Sequence, residues 1–164
     1  MAKSAIALGS NLGKSIDTLE NAVKTLASIP GIDLIATSSW YQTLPIGPPQ
    51  PDYINGCIIL QVQQNPEELL TILQAIELQF GRVRKEKWGA RTLDLDILLY
   101  EDSVMQTPKL TIPHSNLRER AFVLVPLAEI APNWLEPVSK KAIAQLAKEV
   151  DCTGVKLINP HDIC

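Results

Sequence analysis

The stretch NPEELLTILQAIELQFG (residues 65–81), followed after a charged loop by TLDLDILLY (residues 92–100), is where the fold becomes readable. Asn65 is placed to cap a helix, Pro66 suits the first helical position, and Glu67 and Glu68 favour the positive end of the helix dipole. Leu69, Leu73, Ile76 and Phe80 then recur at helical spacing as a buried stripe, and Gly81 is a C-terminal stop. After the loop the period changes to two. TLDLDILLY therefore reads as a strand with Leu93, Leu95, Ile97 and Leu99 on one face and Asp94 and Asp96 on the other.

Working outward, KSAIAL (residues 3–8) reads as a first strand and Gly9-Ser10-Asn11 as the turn after it. Ile16, Leu19, Val23 and Leu26 mark a helix that Pro30-Gly31 ends. Residues 33–43 and 53–63 are rich in β-branched and aromatic residues and read as two strands. Between them LPIGPPQPD (residues 44–52), with four prolines, is a loop. Past residue 100 a hairpin is expected to end at LTIP, and Ser139 to Val150 reads as a last helix capped by Ser139. Pro126 complicates a helix in AFVLVPLAEIAP. The order β-α-β-β-α-β over the first hundred residues is the ferredoxin-like arrangement, an α+β fold.

Composition narrows the function classes. A length of 164 residues suits one domain, read here as residues 1–164. No apolar run approaches the roughly 20 residues that span a bilayer, and the N-terminal apolar segment is too short for a signal peptide, so a cytoplasmic protein with no membrane partner is expected. A net charge of −3 argues against a general nucleic-acid binder. Cys57, Cys152 and Cys164 form no C-x-x-C pair, and His161 with Cys164 is too few ligands for zinc.

Asp94 and Asp96, about 7 Å apart on one strand face, cannot lie unpaired against an apolar core. Alone, they read better as the solvated outer face of an antiparallel sheet than as a site. The preceding loop GRVRKEKWGAR (residues 81–91) shifts that balance: Arg82, Arg84, Lys85, Lys87 and Arg91 face only one acid, Glu86. Such crowding of like charge makes sense where an anion is brought in. Arginine reads phosphate oxygens in pairs, Trp88 offers a flat apolar surface, and Mg²⁺ characteristically takes one or two carboxylates plus substrate phosphates. The segment from Arg82 to Asp96 is thus a candidate ATP and Mg²⁺ site. A second candidate, GSNLGKS (residues 9–15), has three residues between its glycines where a P-loop needs four. It reads better as a turn with Ser15 capping the helix. A small kinase using Lys14 and a non-catalytic nucleotide- or RNA-binding module stay open at this point.

At WGARTLDLDIL (residues 88–98) the sequence resembles the signature of the 6-hydroxymethyl-7,8-dihydropterin pyrophosphokinase family. Further blocks agree in order: LGSN at 8–11, YQTLPIG at 41–47, QPDYIN at 50–55, QAIELQFGRVR at 74–84, IPH at 112–114 and RAF at 120–122. The resemblance runs from about Ile6 to Pro132. It implies a ferredoxin-like α/β/α sandwich with a mainly antiparallel sheet, monomeric, with ATP as co-substrate and two Mg²⁺ ions, transferring diphosphate to the pterin hydroxymethyl group and releasing AMP. By the same resemblance Asp94 and Asp96 would hold both metals, with Arg82 and Arg91 joining them as catalytic residues. Gln74, Glu77, Ile97 and Thr111 would meet the nucleotide. Arg82, Arg91, Lys109, His114 and Arg120 would lie along the triphosphate, and Arg84 and Trp88 would belong to a closing loop. The pterin would stack between Tyr53 and Phe122, with Asn55 on its pyrimidinone edge and Thr43, Leu44 and Ile46 completing recognition. Leu44, Lys109 and Ser115 depart from the residues usual in that family.

Overall fold

The computed structural model describes residues 1–10, 15–43, 53–81 and 93–158. Strand β1 (Ala2–Ser10) leads to helix α1 (Ser15–Ala27), then β2 (Ile32–Thr37), β3 (Tyr41–Thr43), β4 (Tyr53–Val62), α2 (Pro66–Gln79) and β5 (Asp94–Tyr100). A small hairpin, β6 (Met105–Gln106) and β7 (Thr111–Ile112), precedes a single 3₁₀ turn (Leu117–Glu119) and α3 (Ala121–Ile130). The chain then forms α4 (Ile143–Lys148) and β8 (Val155–Leu157). The main sheet has the order β5-β1-β4-β3-β8, with β2 also paired to β4. Every pairing among the described strands is antiparallel. The ferredoxin-like α+β fold is therefore present.

Two apolar clusters make the sheet the middle layer of a sandwich. Ile6, Leu8, Ile58 and Leu60 meet Leu19, Leu26, Leu69 and Leu73 of α1 and α2 on one face. Ala5, Cys57, Ile59 and Leu99 meet Val123, Leu124, Leu127, Ile143 and Leu146 of α3 and α4 on the other. Each fully buried leucine in these layers contributes about 1.5–3 kcal/mol from burial. Helix α2 starts as its sequence demands: the Asn65 side chain accepts from Glu68 N–H at 2.8 Å, and Glu68 returns the bond to Asn65 N–H at 3.0 Å. It ends at Gly81, whose φ of 82° is left-handed.

Several expectations need correction. Gly9 and Ser10 are not a turn; they continue β1, opposite Asn55 and Ile54. The strand read over residues 33–43 breaks in two around Ser38, which substitutes for the missing ladder: its N–H donates to Cys57 O, and its Oγ accepts from Cys57 N–H, both at 2.9 Å. Leu99 does not share a face with Leu95 and Ile97. The register of β5 on β1 slips between Ala5 and Ile6, so Leu98 has no opposite residue and Leu99 moves to the α3 face. Ser139 caps nothing, because α4 begins only at Ile143. Residues 136–141 instead fold around Glu136, which accepts from Val138 N–H at 3.1 Å and Ser139 N–H at 2.6 Å. Pro126 sits buried inside α3. Strand β8, which no periodicity announced, pairs with β3.

Candidate active site

Cross-strand register sets out the site in rows. Asp94 lies opposite Gly9, Gly9 opposite Asn55, and Asn55 opposite Tyr41. One step along, Asp96 lies opposite Ala7, which lies opposite Cys57. Residues directly opposite share a face, so Asp94, Asp96, Asn55 and Tyr53 all stand on the α3 side of the sheet. Two strand spacings separate the Asp94 and Asn55 backbones, about 10 Å, with only Gly9 between them. Asp96 is exposed and Asp94 half-buried on this face.

The glycine between them matters. A Cβ at Gly9 would lie 3.0 Å from Asn55 Oδ1, closer than ordinary contact. Asn55 itself is 8% exposed, and its Nδ2 donates to Thr43 Oγ1 at 3.0 Å, so it has little room to retreat. Tyr53 is half-buried opposite Thr43. Phe122, at the start of α3, packs partly on the cluster that Cys57 and Ile59 form, and the Arg120 guanidinium sits 5.5 Å from its ring centroid. Reading Gly9 as a turn hides its place in β1 beside Asn55. The signal was there, since a glycine inside a strand pattern marks a close backbone approach.

His114 closes the side nearest Asp96. Its N–H donates to the carbonyl of the bulge residue Leu98 at 3.0 Å, and its Nδ1 accepts from Asn116 N–H at 3.2 Å. With Nδ1 occupied as an acceptor, the neutral ring carries its proton on Nε2, the nitrogen left to serve a ligand. Burial lowers the His114 pKa; the Asp96 charge pulls it back up and the Arg120 charge lowers it again, leaving the net shift downward.

Other described candidates lie on α2, on β5 itself and on the β6–β7 hairpin, and β5 ends the main sheet among the described strands. Helix α2 packs on the opposite face from the two aspartates. Gln74 is exposed there, whereas Glu77 is 4% exposed and its Oε2 accepts from Leu95 N–H at 2.9 Å. Ile97 is buried among the same layer, so it can offer a ligand only its backbone. Lys109 and Thr111 are exposed on the β6–β7 hairpin, whose second strand touches β5. A ligand that meets both Gln74 and Asp96 must therefore cross the β5 edge. Arg82, Arg84, Trp88, Arg91, Leu44 and Ile46 lie outside the described residues, as do Gly13 and Lys14 of the P-loop-like segment.

Among the described residues no three His, Cys, Asp or Glu side chains gather to hold a metal. The oxygen donors of Asp94 and Asp96, on one sheet face, suit a hard cation that completes its shell with water and phosphate. They do not suit a closed nitrogen and sulfur site.

Residues 5–132 match the family model described as 7,8-dihydro-6-hydroxymethylpterin-pyrophosphokinase. The chain belongs to that family. Among pyrophosphokinase relatives it is 53% identical over 155 residues to the 2-amino-4-hydroxy-6-hydroxymethyldihydropteridine pyrophosphokinase of Synechocystis, covering 94% of this chain and 80% of that protein. It is 44% identical over 156 residues to the same-named protein of Haemophilus influenzae, covering 94% and 97%. The crystal structure of Plasmodium falciparum HPPK-DHPS with pteroate aligns at a TM-score of 0.74 and 14% identity, covering 90% of this chain and 42% of that longer one. That last likeness bears on the fold alone. The pyrophosphokinase match takes in every candidate site residue and ends before α4 and β8.

Proposed function

We propose that this chain transfers diphosphate from ATP to the hydroxymethyl oxygen of 6-hydroxymethyl-7,8-dihydropterin, releasing AMP, a step of folate biosynthesis. The observation that carries the reading is the row Asp94–Gly9–Asn55. It sets the paired carboxylates on the same sheet face as Asn55 and Tyr53, one glycine away.

In this reading Asn55 offers donor and acceptor to the pyrimidinone edge, while Tyr53 and Phe122 flank the ring, each stack worth about 1–3 kcal/mol by analogy with nucleobases. Pinning the ring at Asn55 directs its hydroxymethyl arm toward the carboxylates, and that positioning is the larger part of phosphoryl-transfer catalysis. Asp94 and Asp96 would hold two Mg²⁺ ions, which when bound neutralise charge on the transferring diphosphate. His114, kept neutral, would donate Nε2–H to a phosphate oxygen, and Arg120 would add its fixed charge. Arg82 and Arg91 would grip the triphosphate, with Arg84 and Trp88 closing above it. Ile97 shares strand parity with Leu95, whose N–H faces the outer edge, so its backbone groups face the same way. Beside Thr111 they would read the adenine edge. Lys109 and Gln74 would flank the nucleotide, and Thr43, Leu44 and Ile46 the pterin. The same reading takes the enzyme as a cytoplasmic monomer.

Protein, Mg²⁺, ATP and the hydroxymethyl-dihydropterin should together yield AMP and a pterin diphosphate in equal amounts. Formation of ADP would overturn the reading in favour of simple phosphoryl transfer.

A further inference from the structure

Glu77 is a buried acid that bonds directly to the backbone of a sheet strand. It comes from α2, on the opposite side of the sheet from the two aspartates. Its Oε2 accepts at 2.9 Å from Leu95 N–H, the amide of the peptide that joins Asp94 to Leu95. Leu95 is the residue between the two candidate metal ligands, and β5 is the terminal strand of the sheet among the described strands. The inner side of β5 is fixed by its register on β1. On the outer side, this bond does at Leu95 what a neighbouring strand would otherwise do. A buried N–H that loses its acceptor must find another or shift. Any such shift changes the separation and tilt of the Asp94 and Asp96 side chains.

We propose that Glu77 is a positioning residue for the divalent-cation pair. Its carboxylate clamps the Asp94–Leu95 peptide from behind the sheet and so fixes the geometry of the two aspartates. The proposal rests on the reading of Asp94 and Asp96 as metal ligands. It differs from direct nucleotide contact by Glu77, because what counts here is an acceptor at the right reach and not its negative charge. Outer-shell partners of this kind typically tune metal affinity or activity by about 10–100-fold.

The contrast between two conservative variants decides it. Glu77→Gln keeps the length and an acceptor oxygen but loses the charge. Glu77→Asp keeps the charge but withdraws the acceptor by one methylene, about 1.5 Å. Mn²⁺ binding would be measured by electron paramagnetic resonance with a non-hydrolysable ATP analogue present, alongside amide hydrogen exchange at Leu95 in the metal-free protein. Glu77→Asp should weaken Mn²⁺ binding about tenfold and speed Leu95 exchange, and Glu77→Gln should recover most of both losses. Glu77→Ala should fall at or below Glu77→Asp; if it fails to fold, the Gln and Asp pair still decides. The reverse order, with Asp tolerated and Gln impaired, would overturn the proposal in favour of a charge contact, and so would wild-type binding in all variants. Asp96→Asn is measured in parallel. If it binds Mn²⁺ normally, the metal reading falls together with the proposal; if it loses Mn²⁺ while the Glu77 variants keep it, only the proposal falls.

Discussion

Adding one methyl group at Gly9 probes the space beside Asn55 without touching any charged residue. Gly9 lies in a regular strand and its φ is not left-handed, so alanine is compatible with the backbone. The new Cβ would meet Asn55 Oδ1 at 3.0 Å, where ordinary contact begins near 3.4 Å. The Asn55 carboxamide must then give way by a few tenths of an ångström, and its bond to Thr43 Oγ1 opposes that movement. A displaced carboxamide loses about one hydrogen bond to the pterin edge, about 0.5–1.5 kcal/mol. Gly9→Ala should accordingly raise KM for the pterin roughly three- to tenfold, with KM for ATP held within about twofold. Global stability should change little, because alanine restricts the unfolded chain by an amount that offsets mild crowding. Steady-state kinetics with each substrate varied in turn, together with thermal melting, give the answer. An unchanged pterin KM in a normally folded Gly9→Ala protein would refute the placement of Asn55 against the pterin.

Ser38→Ala should remove the acceptor of the buried Cys57 N–H. It should cost about 1–3 kcal/mol in urea unfolding, because a buried donor is left unsatisfied; no loss would show that another group replaces the hydroxyl. Glu136 gives a pH test. Burial pushes its carboxyl pKa up, but hydrogen bonds from Ser139 and Val138, aided by the Arg118 charge, outweigh burial and leave it below the ordinary value. Its folded pKa is depressed, so its stabilising contribution is complete above the ordinary value, about 4.3, and is lost as pH falls through the folded value. The wild-type advantage in urea midpoint over Glu136→Gln should stay constant from neutral pH down to about 5 and shrink below about 4. An advantage that grew on acidification would contradict this.

The fold was legible where local chemistry and tertiary demand agree. The Asn65 cap and the stripe through Leu69 and Leu73 are complete in the sequence, and the structure realises both, adding the reciprocal bond from Glu68. Misreadings arose where long-range pairing overrode local pattern. Gly9-Ser10 resembles a turn until Asn55 and Asp94 pair with Gly9 on both sides. Leu99 follows the alternation until the bulge at Leu98 reverses it, and no feature of DLDILLY announces that slip. Strand β8 is too short and too exposed to show a period, and exists because β3 offers it an edge. At the site, the type and spacing of Asp94 and Asp96 were readable, as was the shared face of Tyr53 and Asn55. The adjacency of those two strand faces was not, since it depends on β1 lying between β4 and β5. Neither was the burial of Glu77 or its bond to Leu95 N–H, because an acid at i+3 from Gln74 carries no local mark of the strand amide it reaches.

Turnover by Asp96→Ala is the most direct test of whether this sheet face carries the chemistry. Single-turnover rates with both substrates bound, and pterin affinity from fluorescence titration, separate reaction from binding. Asp96→Ala should retain the fold and pterin affinity within about twofold, while AMP formation slows about a thousandfold, equivalent to about 4 kcal/mol of transition-state stabilisation. An Asp96→Ala protein that forms AMP at the wild-type rate would contradict the account.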